Sequence, residues 1–239
     1  MDKESFKQYA LSFGIAIQIF LFFSIYLLLR RDYFDLYIAN KIFAGVGFIL
    51  LALVLSLGTL SREYQVFDQF LQYRKELGIT AFFFVVLHSF VSFFMLPEHF
   101  PLEHFQSGII VFFFGLLGTS MATILFGVSL ERIKRIIAPK EWWRIQYWGV
   151  RIAGAAVLLH VLPMKYSGWM KWYAGVVPNG LYRPNMPPAG LLVASFGVYV
   201  LFIRLSEIVF KQKAAWIIPL LGYAYVVFLG LTFGWGLGR

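Results

Sequence analysis

Cysteine is absent from the 239 residues. That excludes disulfides, thiolate metal sites and cysteine-ligated iron–sulfur clusters within the chain. Charge is scarce: 14% of residues are Asp, Glu, Lys or Arg, against roughly a quarter in an average soluble domain. The acidic residues sit almost entirely between the apolar runs, so no Ser/His/Asp set is suggested. There is no G-x-x-x-x-G-K-[ST], no Gly-rich turn between a strand and a helix, and no H-E-x-x-H. Soluble-type nucleotide sites and zinc-protease chemistry are thereby excluded. Histidine is also scarce, at four residues.

What is abundant is apolar mass: 60% of residues are hydrophobic and 20% aromatic. Membrane-barrel strands alternate apolar and polar residues, and these runs do not. The reading is all-α, a polytopic membrane helix bundle in a lipid bilayer. Seven spans fit the length a bilayer requires: 10–29, 42–60, 77–96, 107–130, 146–162, 189–205 and 214–235. They form a single transmembrane domain over 1–239. The opening MDKESFKQYA leads into the first span with no clear cleavage site, so it reads as a membrane helix and not as a removed signal.

The net charge of +9 calls for no nucleic acid. Thirteen Lys and Arg fall on one side of the predicted spans and seven on the other, with Arg151 inside the fifth span. The richer side is expected in the cytoplasm, with the N-terminus inside and the C-terminus outside. Trp142, Trp143 and Trp148 then fall at the inner interface. Trp169, Trp172, Trp235, Tyr166 and Tyr173 fall at the outer one. Gly230, Gly234 and Gly238 give the last span a smooth face for helix packing. Gly149, Ala153 and Ala156 share a face of the fifth span with His160, for packing or as room for a flat cofactor. The connection Met164–Pro188, with Pro178-Asn179-Gly180, is expected to be turn-rich with no regular element. It either caps an outer site, docks a partner or lies on the interface by its aromatics.

His88, in the third span, and His160, in the fifth, are the two histidines inside apolar runs. His99 and His104 lie in the outer loop LPEHFPLEHFQ, as solvated residues, a weak metal site or an outer heme ligand. An imidazole in a membrane span requires a polar partner, a carbonyl or a metal, and is a functional hypothesis by default. Hydrogen-bonded helix glue is one reading, and axial ligation of heme iron is the other. Measured from the predicted inner edges, His88 lies about 16 Å and His160 about 21 Å along their helices. Tilted neighbours can absorb that offset. Arg151, nine residues before His160, falls on the opposite helix face and is expected to snorkel inward or pair within the bundle.

The run Arg74-Lys75-x-Leu77-Gly78-x-x-Ala81-Phe82, followed by Leu87-His88, resembles the third helix of the ferric reductase-like transmembrane superfamily. It is most similar to the MsrQ (YedZ) type, heme-binding membrane subunits of a periplasmic methionine sulfoxide reductase system. Trp143-Arg144-Ile145-Gln146-Tyr147, leading to His160, resembles that family's fifth helix. The similarity covers about residues 10–205, with the helix at 214–235 added to the usual six. The family's second histidine in the fifth helix is replaced by Tyr147, beside Gln146, and the outer ligand of NADPH oxidases by Leu102.

The resemblance therefore implies one b-type heme with His88 and His160 as axial ligands. It implies electron transfer from a cytosolic flavin reductase to an extracytoplasmic redox partner, in a prokaryotic plasma membrane. Flavin belongs to a separate partner, and "enzyme" applies only to the assembled system. The basic loop Glu131–Arg144 is a candidate docking surface for that reductase. The competing reading is a heme-free relative acting as a membrane scaffold, assembly factor or small-molecule carrier.

Overall fold

The computed structural model describes residues 3–176 and 180–238. The elements are α1 (Lys3–Arg31), α2 (Leu36–Glu63), a 3-10 segment (Gln65–Tyr73), α3 (Arg74–Phe90), a π-helical turn (Val91–Met95), α4 (Leu102–Ser107), α5 (Ile109–Ser129), α6 (Glu131–Lys134), α7 (Pro139–Tyr173), α8 (Ala189–Phe210) and α9 (Ala214–Leu237). A 3-10 turn at Lys211–Lys213 joins the last two. Among the described residues there is no strand. Seven segments are long and apolar enough to cross a bilayer, as the sequence predicts. With no water in the hydrocarbon, helices satisfy every backbone group within the segment.

Helix α2 is the central column. Ile38, Ile42, Val46, Leu50 and Val54 recur every four residues and are all buried. They share one core with Leu77 and Ala81 of α3, Val150 and Ala153 of α7 and Leu192 of α8. The helix begins earlier than the predicted Ile42. Asp35 caps it in an extended conformation, its Oδ1 accepting from the Ile38 amide at 2.7 Å. This cap brings Asn40 inside the helix.

Four helices close a ring: α2 packs on α3, α3 on α5, α5 on α7, and α7 on α2. Helices α3 and α7 are thus diagonal partners. Small residues set the spacing. Leu125 of α5 fills the space over Gly149, and Gly118 faces Val157 and Ala156. Of the two readings of the small face on α7, packing against α5 accounts for Gly149 and Ala156. Helix α1 lies against α2 and α3, α8 against α2, and α9 against α8.

Three expectations are corrected. Helix α7 does not stop before Met164 but continues through Pro163 to Tyr173. Proline removes one helix donor, whereas Trp169 and Trp172 bury their rings beyond it, beside Leu191 and Ala194 of α8. Those two tryptophans are therefore core residues, 8% and 6% exposed, and not interface anchors. The Trp172 Nε1–H also donates to the Pro184 carbonyl at 3.0 Å. The third correction concerns α9: nothing among the described residues meets a Cβ built at Gly230 or Gly234. The close approach is at Gly236, against Trp172 and the Asn185 carbonyl, because residues 232 and 236 lie on the other face of the helix. The predicted turn at Pro178-Asn179 lies outside the described residues, as does Arg239.

A buried polar clamp joins α2 to α8. Arg204 pairs with Glu207 at 3.1 Å and donates to Thr59 Oγ1. Thr59 donates to Glu207 at 2.8 Å, and Arg62 pairs with the same carboxylate at 2.6 Å.

Candidate functional site

His88 sits on the last turns of α3, and its Nδ1 lies 3.2 Å from the Asn40 carbonyl and 3.0 Å from Asn40 Oδ1. The Asn40 amide nitrogen donates to Ser92 Oγ at 2.8 Å, which assigns Oδ1 as the oxygen facing His88. Both oxygens accept only. The proton therefore resides on His88 Nδ1, and Nε2 carries the lone pair. Ser92 belongs to the π-helical turn Val91–Met95, immediately after His88. Such turns occur frequently at functional sites.

His160 repeats the arrangement on the diagonal helix. Its Nδ1 lies 2.8 Å from the Val111 carbonyl of α5, so Nδ1 again donates and Nε2 is again the free base. The imidazole fits because residue 115 is glycine: a Cβ there would stand 2.9 Å from Nδ1 and 3.1 Å from Cε1. His88 and His160 lie within electrostatic reach of each other, and Lys165 within reach of both. Both residues are only partly buried.

Two neutral imidazoles on diagonal helices, each with a free Nε2, are a donor set that could hold a metal centre. Iron takes the neutral imidazole nitrogen opposite an Nδ1–H bonded to a carbonyl. The same two Nδ1–H bonds tie α3 to α2 and α7 to α5, as helix-joining histidines do, and leave each Nε2 available to a further partner. Sequence reasoning missed Asn40 and Gly115. Asn40 carried a signal, an amide just before an apolar run, but the predicted span started two residues too late. Gly115 carried none, because only packing shows which α5 residue faces His160.

The other candidates separate from this pair. His99 and His104 are exposed. His99 stacks on Tyr37 at 4.4 Å between ring centroids, and His104 packs edge-on to Phe100 and Phe105. Among the described residues no group of three or more His, Asp or Glu could hold a metal ion. Arg151 turns back one helical turn onto Tyr147, its guanidinium carbon 3.3 Å from the ring centroid. Tyr147 stacks on Trp143 at 4.8 Å and meets Trp148 edge-on at 5.4 Å. In the segment preceding His88, Leu77 and Ala81 are buried, and a Cβ built at Gly58 would stand 3.4 Å from Arg74 Nη2. Glu76 is 4% exposed and its Oε2 has no hydrogen-bond partner.

Beyond the ring, Lys75 Nζ pairs with Glu131 of α6 at 3.1 Å. That contact holds the exposed Glu131 carboxyl below the usual carboxylate range, chiefly through the hydrogen bond from Lys75. Arg132 and Arg135 are exposed beside it. No protein-family model matches this chain, and no curated protein matches it.

Proposed function

We propose that the protein is a membrane electron-transfer subunit with one b-type heme, held by His88 and His160. It would pass electrons from a cytosolic flavin reductase to an extracytoplasmic acceptor. The observation that carries the reading is the shared tautomer. Each Nδ1 gives its proton to a carbonyl of a neighbouring helix, and each Nε2 is left as a base. Bound heme supplies a one-electron iron centre that the side chains of this chain do not. Asn40 and Val111 fix the two rings, Gly115 makes room for one of them, and the apolar helices exclude water. The resemblance of the segments around His88 and His160 to the ferric reductase-like superfamily supports the same reading.

In this reading the end of the bundle carrying Arg132, Lys134 and Arg135 is cytoplasmic and receives the reductase. Exposed cations there suit an acidic surface and give salt-sensitive kinetics. Reversing those three charges is expected to slow reduction at low salt. An unchanged rate would remove the docking role.

The direct test is a reduced-minus-oxidised absorption spectrum of the purified protein. A bis-imidazole b-type spectrum is expected. It should vanish in His88→Ala and in His160→Ala, and persist in His99→Ala and His104→Ala. Full occupancy with an unchanged spectrum in either of the first two variants would rule out the pairing.

A further inference from the structure

Four cations gather at the end of the bundle where α1 stops. Arg30 and Arg31 close α1, Lys41 lies on the second turn of α2, and Lys165 lies five residues beyond His160. Lys41 is within electrostatic reach of Arg31, Lys165 and Arg30, and Lys165 of Arg31. Arg30 is buried, and Lys41, Lys165 and Arg31 are half-buried. Like charges held together away from water are unfavourable unless an anion joins them.

Their partners in the chain do not supply that anion. Arg30 Nε donates to the Met186 carbonyl at 2.9 Å, and Arg31 Nη1 to the Tyr33 hydroxyl at 2.8 Å. The Lys41 ammonium lies 3.5 Å from the Tyr37 ring centroid. Arg31 Nε is buried without a hydrogen-bond partner. Among the described residues the carboxylate acting on Lys41 is Asp35, and its Oδ1 already caps α2. Among the described residues no carboxylate lies within ion-pair distance of Lys41, Lys165, Arg30 or Arg31.

Lys165 also lies within electrostatic reach of both His88 and His160. The cluster therefore adjoins the histidine pair. A ligand that places its centre at the two imidazoles and carries acid groups on one edge would answer both features. We propose that Lys41 and Lys165, backed by Arg31, form a carboxylate-binding pocket for the acidic edge of the ligand held by His88 and His160.

This inference rests on the heme reading and adds an orientation to it: the propionate edge faces the end of the bundle carrying Arg31. An anionic lipid headgroup offers similar oxyanions. It would reach the cluster from the bilayer surface, without reference to the histidines.

The test compares protoheme with its dimethyl ester, in which both acids are capped. Each is titrated into full-length apoprotein, for the wild type and for the double variant Lys41→Gln, Lys165→Gln. The wild type is expected to hold the free acid at least about tenfold more tightly than the ester, since a charge-assisted hydrogen bond is worth more than one factor of ten. The double variant should bind the two forms alike, with the bis-imidazole spectrum intact. That spectrum shows that the variant is folded and that His88 and His160 still ligate.

Equal affinity of the wild type for both forms, or a preference retained in the double variant, would overturn the pocket and leave the heme reading standing. Absence of any bis-imidazole spectrum in the wild type would overturn both. Native mass spectrometry with phosphatidylglycerol separates the lipid source. Lipid adducts lost in the double variant, with the acid preference unchanged, would assign the cluster to a headgroup and overturn the proposal.

Discussion

Gly115 offers a graded perturbation of the site that replaces neither histidine. A Cβ at this position stands 2.9 Å from His160 Nδ1, and ordinary contact begins at 3.4 Å, so the ring must retreat by about 0.5 Å. It cannot do so freely, because the same nitrogen is bonded to the Val111 carbonyl at 2.8 Å. Retreat stretches that bond and turns the ring away from the axis it now holds. Overpacking of this kind costs about 1–3 kcal/mol. Replacing a helical glycine returns about 0.5–1 kcal/mol through backbone entropy. For Gly115→Ala the net loss of folding stability is then up to about 2.5 kcal/mol, and heme affinity should fall about 10- to 100-fold through the displaced His160 ring, the range for a disturbed ligand environment. Gly115→Val should lose more, since two further methyl groups enter the same space.

Gly127, on the same helix, is the internal control, because a Cβ placed there meets nothing within 4 Å. Gly127→Ala should be neutral or slightly stabilising. The assay is heme titration into apoprotein, followed by absorption, with thermal unfolding of each variant measured in parallel. Wild-type affinity in Gly115→Val would refute the role of the His160 environment. Equal losses in Gly115→Ala and Gly127→Ala would refute the packing argument itself.

Other outcomes follow from the same geometry. Asn40→Leu removes one of the two acceptors of His88 and the partner of Ser92, while the residue 40 carbonyl remains; heme affinity should fall about tenfold, the lower end for loss of a supporting hydrogen bond to a ligand, measured by the same titration. Glu207→Leu strands the buried Arg204 and should destabilise by about 3–5 kcal/mol in chemical unfolding, whereas the double change Arg204→Met, Glu207→Leu should recover much of it. The Lys75–Glu131 contact contributes above the ordinary carboxylate range and is lost as pH falls through the lowered Glu131 value. Lys75→Met should therefore abolish that acid dependence, read as thermal stability against pH, and salt should weaken it in the wild type. A reporter active only in the cytoplasm, fused after the last residue, is expected to be silent, and strong activity would invert the proposed orientation.

The sequence by itself determined the fold class. Seven apolar runs, low charge and no alternation leave helices as the way to satisfy the backbone in lipid. It also singled out His88 and His160, because a titratable ring inside an apolar span stands out against a uniform background. Element ends were less legible. The start of α2 depends on the Asp35 cap, and the persistence of α7 past Pro163 depends on two tryptophans meeting α8, a contact between segments distant in sequence. The glycines divided the same way. Gly230 and Gly234 have helix-packing spacing yet meet nothing among the described residues, whereas Gly115, with no pattern to mark it, receives the His160 ring. Tertiary structure alone decided the protonation of the two imidazoles, since a tautomer is set by the oxygen facing each ring. Those oxygens belong to Asn40 and Val111, residues 48 and 49 positions away in sequence and brought near by the ring of α2, α3, α5 and α7.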